Sequence, residues 1–288
     1  MTNTLPPTAL ATVPPEVRAA ASALLGAART SSPCPPVRDG LTTEASADSV
    51  ATGYAVQNLL TQARLEDGHR IVGRKIGLTS PAVQEQLGVD QPDFGVLFDD
   101  MDLSHTPTIP LQRLLQPKIE AEVAFVLGAD LDTPDPSQAK ARAAIAQVVA
   151  ALEIVDSRIA GWDITIVDTI ADNASSGLFV LGAGARPLGD DEDLGQVTME
   201  LIDQDGRVLS HGTGAACLGD PINALVWLAR ITHRLGAPLR AGEIVLSGAL
   251  GPMVPVTPGT TYTASFTGLG NVQAHFGDAP DPLRKRGA

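Results

Sequence analysis

The segment Gln116-Pro117-Lys118-Ile119-Glu120-Ala121-Glu122-Val123-Ala124-Phe125-Val126-Leu127 constrains this chain more than any other. It has the form of a buried strand, an apolar run that follows a proline and ends at a glycine turn. Two glutamates interrupt it, two positions apart. On a strand that spacing sets both side chains on one face, with their α-carbons roughly 6.6 Å apart. Burying one unpaired carboxylate is costly, and burying two side by side costs more. A basic side chain, a shared proton or a metal ion must meet them.

A third acid stands in the same predicament. In Val148-Val149-Ala150-Ala151-Leu152-Glu153-Ile154-Val155 a lone glutamate breaks another apolar run. Three carboxylates from two strands can supply the oxygen ligands of one divalent cation, and hard oxygen donors at about 2.0–2.1 Å suit Mg²⁺ or Mn²⁺. The plainer alternative pairs Glu120, Glu122 and Glu153 with Lys118, Arg158 or Lys75. Taken singly, each glutamate is better explained as half of an ion pair. Three of them in apolar strands, with few basic residues nearby in sequence, shift the balance to metal.

Composition narrows the classes further. With 288 residues the chain can bury a sizeable core. Its net charge of −13 argues against nucleic acid, which needs a basic footprint. No apolar stretch is long enough to span a bilayer, and Met1 to Pro15 lacks the basic and apolar regions of a signal peptide. Cys34 and Cys217 are far apart, which fits reduced thiols in the cytoplasm, and the five scattered histidines disfavour a His-based zinc site.

Along the chain, helices are expected over Glu16 to Arg29 and Asp48 to Glu66. In Arg70 to Thr79, strand alternation groups Lys75 with Ile71, Gly73 and Gly77, and glycines beside a lysine leave room for close approach. Such a lysine is either a surface residue or, partly buried with a lowered pKa, a general acid or base. Ser80-Pro81 opens a short helix stopped at Gly88. Asp93, in the turn Gln91 to Gly95, either holds that turn or points a carboxylate into a site. Asp135-Pro136 is expected to cap a helix through about Gln147.

The polar cluster Asp168 to Gly177, just before a strand at Leu178 to Leu181, is either a hydrogen-bonded turn or a substrate cradle. A hairpin is expected around Asp203-Gln204-Asp205-Gly206, and a helix from Asp220-Pro221 to about Leu235. Strands follow at Glu243 to Ser247, Val254 to Val256, Thr261 to Thr267 and Val272 to Phe276, before a loose tail. Strands interspersed with single helices, without a βαβ rhythm, predict an α+β fold with a rolled or barrel-like sheet.

Several of these segments together resemble 2-hydroxypenta-2,4-dienoate (2-keto-4-pentenoate) hydratases of the fumarylacetoacetase-like superfamily. They are Gly73 to Thr79, Leu87 to Gly95, Pro117 to Glu122, Glu153 to Arg158, Asp168 to Gly177 and Ser247 to Met253. The resemblance implies a mixed, rolled β-sheet or barrel with flanking helices over 80–280, a smaller N-terminal helical or α/β portion over 1–79, and a loose tail over 281–288. It implies Mg²⁺ or Mn²⁺ held by Glu120, Glu122 and Glu153, and an acid/base pair of Lys75 and Asp93. Ser175 would contact substrate, with Leu78 and Ser247 beside it.

The implied reaction is addition of water to 2-hydroxypenta-2,4-dienoate to give 4-hydroxy-2-oxopentanoate, a step of meta-cleavage catabolism of aromatics. A homo-oligomer is implied too, with association with a pathway aldolase or decarboxylase as a further possibility. Related carbon–carbon hydrolases carry a threonine where Ala249 stands, which weakens a hydrolase reading. The rivals are a 4-oxalocrotonate decarboxylase, a hydratase for a longer 2-oxo-dienedioate, and a non-catalytic partner of another pathway enzyme.

Overall fold

A computed structural model describes residues 13–41, 49–80, 84 and 91–278. Asp48, most of the helix expected from Pro81 to Gly88, the motif residues 87–90 and the expected tail over 281–288 lie outside the described residues. The alanine-rich stretch after Pro14 forms the helix Pro15–Thr30, with Val17, Ala20, Ala21, Leu24 and Ala27 buried along one side. That is the i, i+3, i+4 stripe of a helix lying on a core. It packs with the helix Ser49–Glu66 and the short helix Ile166–Ala171, around Leu41, Val56, Ile159 and Val167.

Eleven strands are described: β1 (Ile71–Gly77), β2 (Asp93–Phe98), β3 (Lys118–Leu127), β4 (Ile145–Val155), β5 (Ser176–Leu181), β6 (Thr198–Asp203), β7 (Val208–Thr213), β8 (Ile244–Ala249), β9 (Val254–Pro255), β10 (Thr261–Phe266) and β11 (Gly270–His275). The main sheet runs β2-β1-β8-β3-β4-β5, with β9 paired to the start of β3. Only β1 and β8 are parallel; the other neighbours are antiparallel. A second sheet runs β11-β10-β6-β7. The expected α+β architecture, a mixed rolled sheet with flanking helices, is the one formed. The strand β1, placed by the sequence at the end of the N-terminal portion, hydrogen-bonds to β2 and β8 inside the main sheet.

The two faces of β3 and β4 have different jobs. Ile119, Ala121, Val123 and Phe125, with Val148, Ala150, Leu152 and Ile154, enter the large core with the helix Pro221–Arg234 and with Tyr262, Ala264, Val272 and Ala274. The alternate residues face the other way. There Ala124, Val149 and Ala151 join Leu97, Phe179 and Leu246 in a small apolar plug, and the same face carries Glu120, Glu122 and Glu153 next to it.

The helix expected from Asp135 to Gln147 is shorter, Gln138–Ala143, with Ser137 rather than Asp135 at its N-cap accepting from Lys140 N. Its expected last turn is strand instead, because Ile145 pairs with Leu127 and Gln147 with Val126. Long-range pairing overrides a locally helical sequence there. The Asp220 cap accepts from Ile222 N at 2.6 Å, and the helix Pro221–Arg234 stops ahead of Gly236, as expected. Among the described residues no helix is long and apolar enough to cross a membrane.

Candidate active site

Antiparallel pairing puts Glu120 directly opposite Glu153, and Glu122 follows Glu120 on the same face. Each of the three offers a carboxylate oxygen within 4.8 Å of the others'. Glu122 and Glu153 are fully buried. Glu122 Oε2 accepts from Gly248 N at 2.8 Å. The β3–β8 register shifts at this point, and Gly248, at φ 107°, turns its N–H from the ladder to the carboxylate. A Cβ there would lie 2.4 Å from Thr79 Oγ1, so the position needs glycine. Glu122 Oε1 and both Glu153 oxygens have no hydrogen-bond partner among the described residues.

Buried oxygens without donors are rare in folded proteins and mark a place for an ion or water. Among the described residues no arginine clamps the trio, and the cation in contact is Lys75, whose Nζ is 3.3 Å from Glu153 Oε1. Lys118, an alternative partner considered from sequence, instead lies over the Trp162 ring at 4.1 Å. Arg158 is committed to Asp172. Three convergent, hard, incompletely satisfied oxygen donors fit a divalent cation such as Mg²⁺ or Mn²⁺.

Charge in the cluster follows from burial. Burial and the Glu153 charge push the Glu120 carboxyl up to about 7. Burial and the two neighbouring glutamates raise Glu122 well above the usual carboxylate range, and burial raises Glu153 against the pull of Lys75. Without a cation, then, the folded protein holds protons that the unfolded chain has released above about pH 4.5. Its stability should fall as pH rises from there through about 7. We therefore expect the melting temperature of metal-stripped protein to drop between pH 5.5 and 8. Excess Mn²⁺ should raise it more at pH 8 than at pH 5.5; equal increments at both would contradict this origin.

Lys75 and Asp93 meet on the neighbouring strands. Gly77 pairs with Asp93 across β1 and β2, and Lys75 lies two residues back on the same face as Gly77. A Cβ on Gly77 would stand 2.2 Å from Asp93 Oδ1 and 3.5 Å from Lys75 Nζ, so both groups crowd over this one glycine. Thr169 Oγ1 donates to Asp93 Oδ2 at 2.9 Å, while Asp93 Oδ1 has no partner among the described residues. Burial raises the Asp93 pKa, and Lys75 pulls it back. Burial likewise lowers that of Lys75, but Glu153, Asp93, Glu120 and Glu122 outweigh it and the net direction is up. The lowered pKa expected from burial alone is thus reversed by the surrounding acids. Gly77→Ala should displace Asp93 and reduce turnover at least tenfold while leaving Mn²⁺ affinity within a few-fold; unchanged turnover would show that the contact is dispensable.

Ser175 comes from the polar cluster after the Ile166–Ala171 helix. Asn173, Ala174 and Ser175 are all left-handed (φ 54°, 51° and 53°), although none is glycine. Each such residue costs roughly 1–2 kcal/mol relative to right-handed backbone. The sequence left a turn or a substrate cradle open at this cluster; the structure forms the turn, with Ala174 and Ser175 lining a cavity. The turn is braced by Arg158, which bonds Asp172 and donates to Ser176 O at 2.7 Å. Asp156 N donates to Ser175 O at 2.8 Å. Ser175 Oγ is buried and has no partner among the described residues.

Lys75, Asp93, Glu120 and Ser175 line one cavity of about 490 Å³, together with Leu78, Thr79, Trp162, His211, Ala249 and Met253, while Glu122 and Glu153 lie outside its lining. Leu78 is one of the lining residues and has left-handed backbone at φ 57°. Ser247 is not among the lining residues: it is fully buried behind Glu122, and its Oγ lies 3.9 Å from Cys217 Sγ. Alternation along β8 turns its side chain away while the next residue gives its N–H to Glu122. Burial pushes the Cys217 thiol up to about 12, which makes it a packing residue and no nucleophile.

Trp162 and His211 were missed from sequence. Trp162 Nε1 donates to Gln116 O at 3.0 Å, tying it to the start of the glutamate strand. His211 lies on β7 in the second sheet, and no local pattern marks it as a neighbour of β3.

A rolled mixed sheet that gathers hard oxygen donors beside a buried lysine and aspartate, with Glu120, Lys75 and Asp93 lining one cavity, defines a class of metal-using enzymes for small oxygen-rich substrates. The model of the fumarylacetoacetate (FAA) hydrolase C-terminal family matches residues 71–276. The chain is 52% identical over 264 residues to a 2-keto-4-pentenoate hydratase of Paraburkholderia xenovorans (strain LB400), covering 91% of this chain and 96% of that one. It is 57% identical over 224 residues to a 2-keto-4-pentenoate hydratase of Burkholderia vietnamiensis (strain G4 / LMG 22486), covering 77% of this chain and 84% of that one. Among solved structures, 4-oxalocrotonate decarboxylase from Pseudomonas putida G7, complexed with magnesium and adipate, superposes with a TM-score of 0.84 at 31% identity, covering 96% of this chain and all of that one. The chain belongs to the fumarylacetoacetate hydrolase family, and its sequence lies beside the 2-keto-4-pentenoate hydratases within it.

Proposed function

We propose that the chain is a divalent-metal-dependent hydratase that converts 2-hydroxypenta-2,4-dienoate into 4-hydroxy-2-oxopentanoate in the cytoplasm, as part of meta-cleavage catabolism of aromatics. The observation that carries this reading is the convergence of Glu120, Glu122 and Glu153, with oxygens unsatisfied, beside Lys75 and Asp93. Glu120, Glu122 and Glu153 hold Mg²⁺ or Mn²⁺. When bound, the ion supplies Lewis-acid stabilisation of the charge that develops on the substrate's C2 oxygen.

The chain's own groups move the protons. Lys75 and Asp93, crowded over Gly77, remove the proton of the C2 hydroxyl and deliver one to C5, which leaves a ketone conjugated to the C3–C4 double bond. Water then adds its oxygen to C4, and a proton arrives at C3. Ser175 Oγ, free of any described protein partner, hydrogen-bonds the substrate or that water. Leu78, Trp162 and Met253 give the cavity part of its apolar lining. The reading extends to a homo-oligomer, and to association with an aldolase or decarboxylase acting on adjacent intermediates.

A second reading has its own support. The 4-oxalocrotonate decarboxylase shares the fold along nearly the whole chain. Its substrate retains a second carboxylate, and the described cavity lining offers only Lys75 and His211 as basic side chains. The lysine already faces four acids, so the monocarboxylate fits better. The test follows loss of dienoate absorbance in metal-stripped buffer, with and without Mg²⁺ or Mn²⁺. Metal-dependent formation of 4-hydroxy-2-oxopentanoate is expected. Release of CO₂ from oxalocrotonate without hydration would favour the alternative.

A further inference from the structure

Three successive left-handed residues without a glycine do not hold themselves. The turn is buried, with a second cavity of about 190 Å³ against Asn173 and Ser176, and Arg158 and Asp156 N brace it from the β4 side. On the β2 side the Asn173 side chain holds it. Its Oδ1 accepts from Val96 N at 2.7 Å, and its Nδ2 donates to Val96 O at 2.9 Å. That two-bond pair imitates one residue of an extra strand laid on β2. Ser176 Oγ adds a bond to Asn173 O at 2.7 Å. The approach is close: a Cβ on Gly95 would stand 2.3 Å from Asn173 O.

The anchor point matters because of what else β2 carries. The strand begins at Asp93, three residues before Val96. A bond pair from Asn173 to Val96 therefore ties the turn that bears Ser175 to the strand that bears Asp93. The two groups lining the cavity are held in one frame, although they stand 82 residues apart in sequence.

We propose that Asn173 is a positioning residue, whose side-chain amide clamps the left-handed turn to Val96 and thereby fixes Ser175 Oγ relative to Asp93. The proposal rests on the reading of Ser175 as the group that bonds substrate or water. Asn173 itself touches neither: it is not among the residues lining the reaction cavity.

Asn173→Gly is the informative replacement, because glycine accepts a left-handed backbone without strain and only the amide clamp is lost. It is compared with Ser175→Ala and with the double variant, all in the full chain with saturating Mn²⁺. Amide exchange is followed at Ser175 and at Asp156, whose N–H bonds to Ser175 O, beside hydration kinetics. Exchange at both amides should quicken at least tenfold in Asn173→Gly. Its kcat should fall at least tenfold with KM within threefold. In the Ser175→Ala background, the same replacement should change kcat less than threefold, since the group it positions is already gone. Unchanged exchange overturns the proposal whatever the substrate, and so does an equal fall of kcat in both backgrounds. Parental kcat in Ser175→Ala overturns this proposal together with the reading of Ser175 beneath it.

Discussion

Glu122→Gln is expected to weaken Mn²⁺ binding at least a hundredfold and to cut turnover by about 10²–10³-fold, while the fold persists. The amide has the size and shape of the carboxylate, and one oxygen can still accept from Gly248 N, as Glu122 Oε2 does at 2.8 Å. What disappears is one negative charge and one anionic oxygen from a set of three gathered within 4.8 Å. Stabilisation of transition-state charge by a metal is worth several kcal/mol, and each ~1.4 kcal/mol is tenfold in rate. Without metal the parent must take up a proton at Glu122 on folding, whereas the amide needs none, so the metal-free variant should melt no lower than the metal-free parent. Calorimetric titration with Mn²⁺, beside thermal melts of the stripped proteins, checks both halves. Parental metal affinity in Glu122→Gln would remove this residue from the ligand set.

Lys75→Met separates proton transfer from metal binding. The replacement keeps an unbranched side chain and deletes the ammonium 3.3 Å from Glu153 Oε1. General acid–base groups contribute typically about 10²–10⁴-fold, and turnover should fall by that order. Metal affinity should stay equal or increase, because the competing positive charge beside the carboxylates has gone. A loss of turnover that tracked a loss of metal would instead make Lys75 a structural partner of the acids. Steady-state kinetics at saturating Mn²⁺, combined with the same titration, distinguishes these outcomes.

The acids themselves were legible in the sequence, since a charge inside an apolar strand needs a reason and a two-residue spacing fixes a common face. The register was not. Nothing local says that Glu120 stands opposite Glu153; that pairing joins residues on separate strands and is settled by the whole sheet. The same limit hid His211, which reaches the cavity from a different sheet, and Trp162, whose placement depends on Gln116. It also shortened the helix expected to reach Gln147, because Ile145 found its partner in Leu127. Ser247 was placed too close to substrate, since its side chain turns to Cys217 while the next residue gives its N–H to Glu122.

Lys75 shows a different gap. Its alternation with Gly73 and Gly77 was readable, yet the direction of its pKa was not. Burial alone argues down, and only the assembled cluster of Glu153, Asp93, Glu120 and Glu122 reverses it. Asn173 offered least of all. An asparagine in a polar run signals a turn, but that it bridges to Val96 and supports left-handed backbone through Ser175 emerges from tertiary contacts alone.

The account turns on a single dication shared by three glutamates. Diffraction from crystals grown with Mn²⁺, recorded near the manganese absorption edge, locates that ion directly. The expected map has one anomalous peak at coordination distance, about 2.0–2.3 Å, from oxygens of Glu120, Glu122 and Glu153. No peak among the three carboxylates at saturating Mn²⁺, with Lys75 and bound protons balancing their charge, would contradict it.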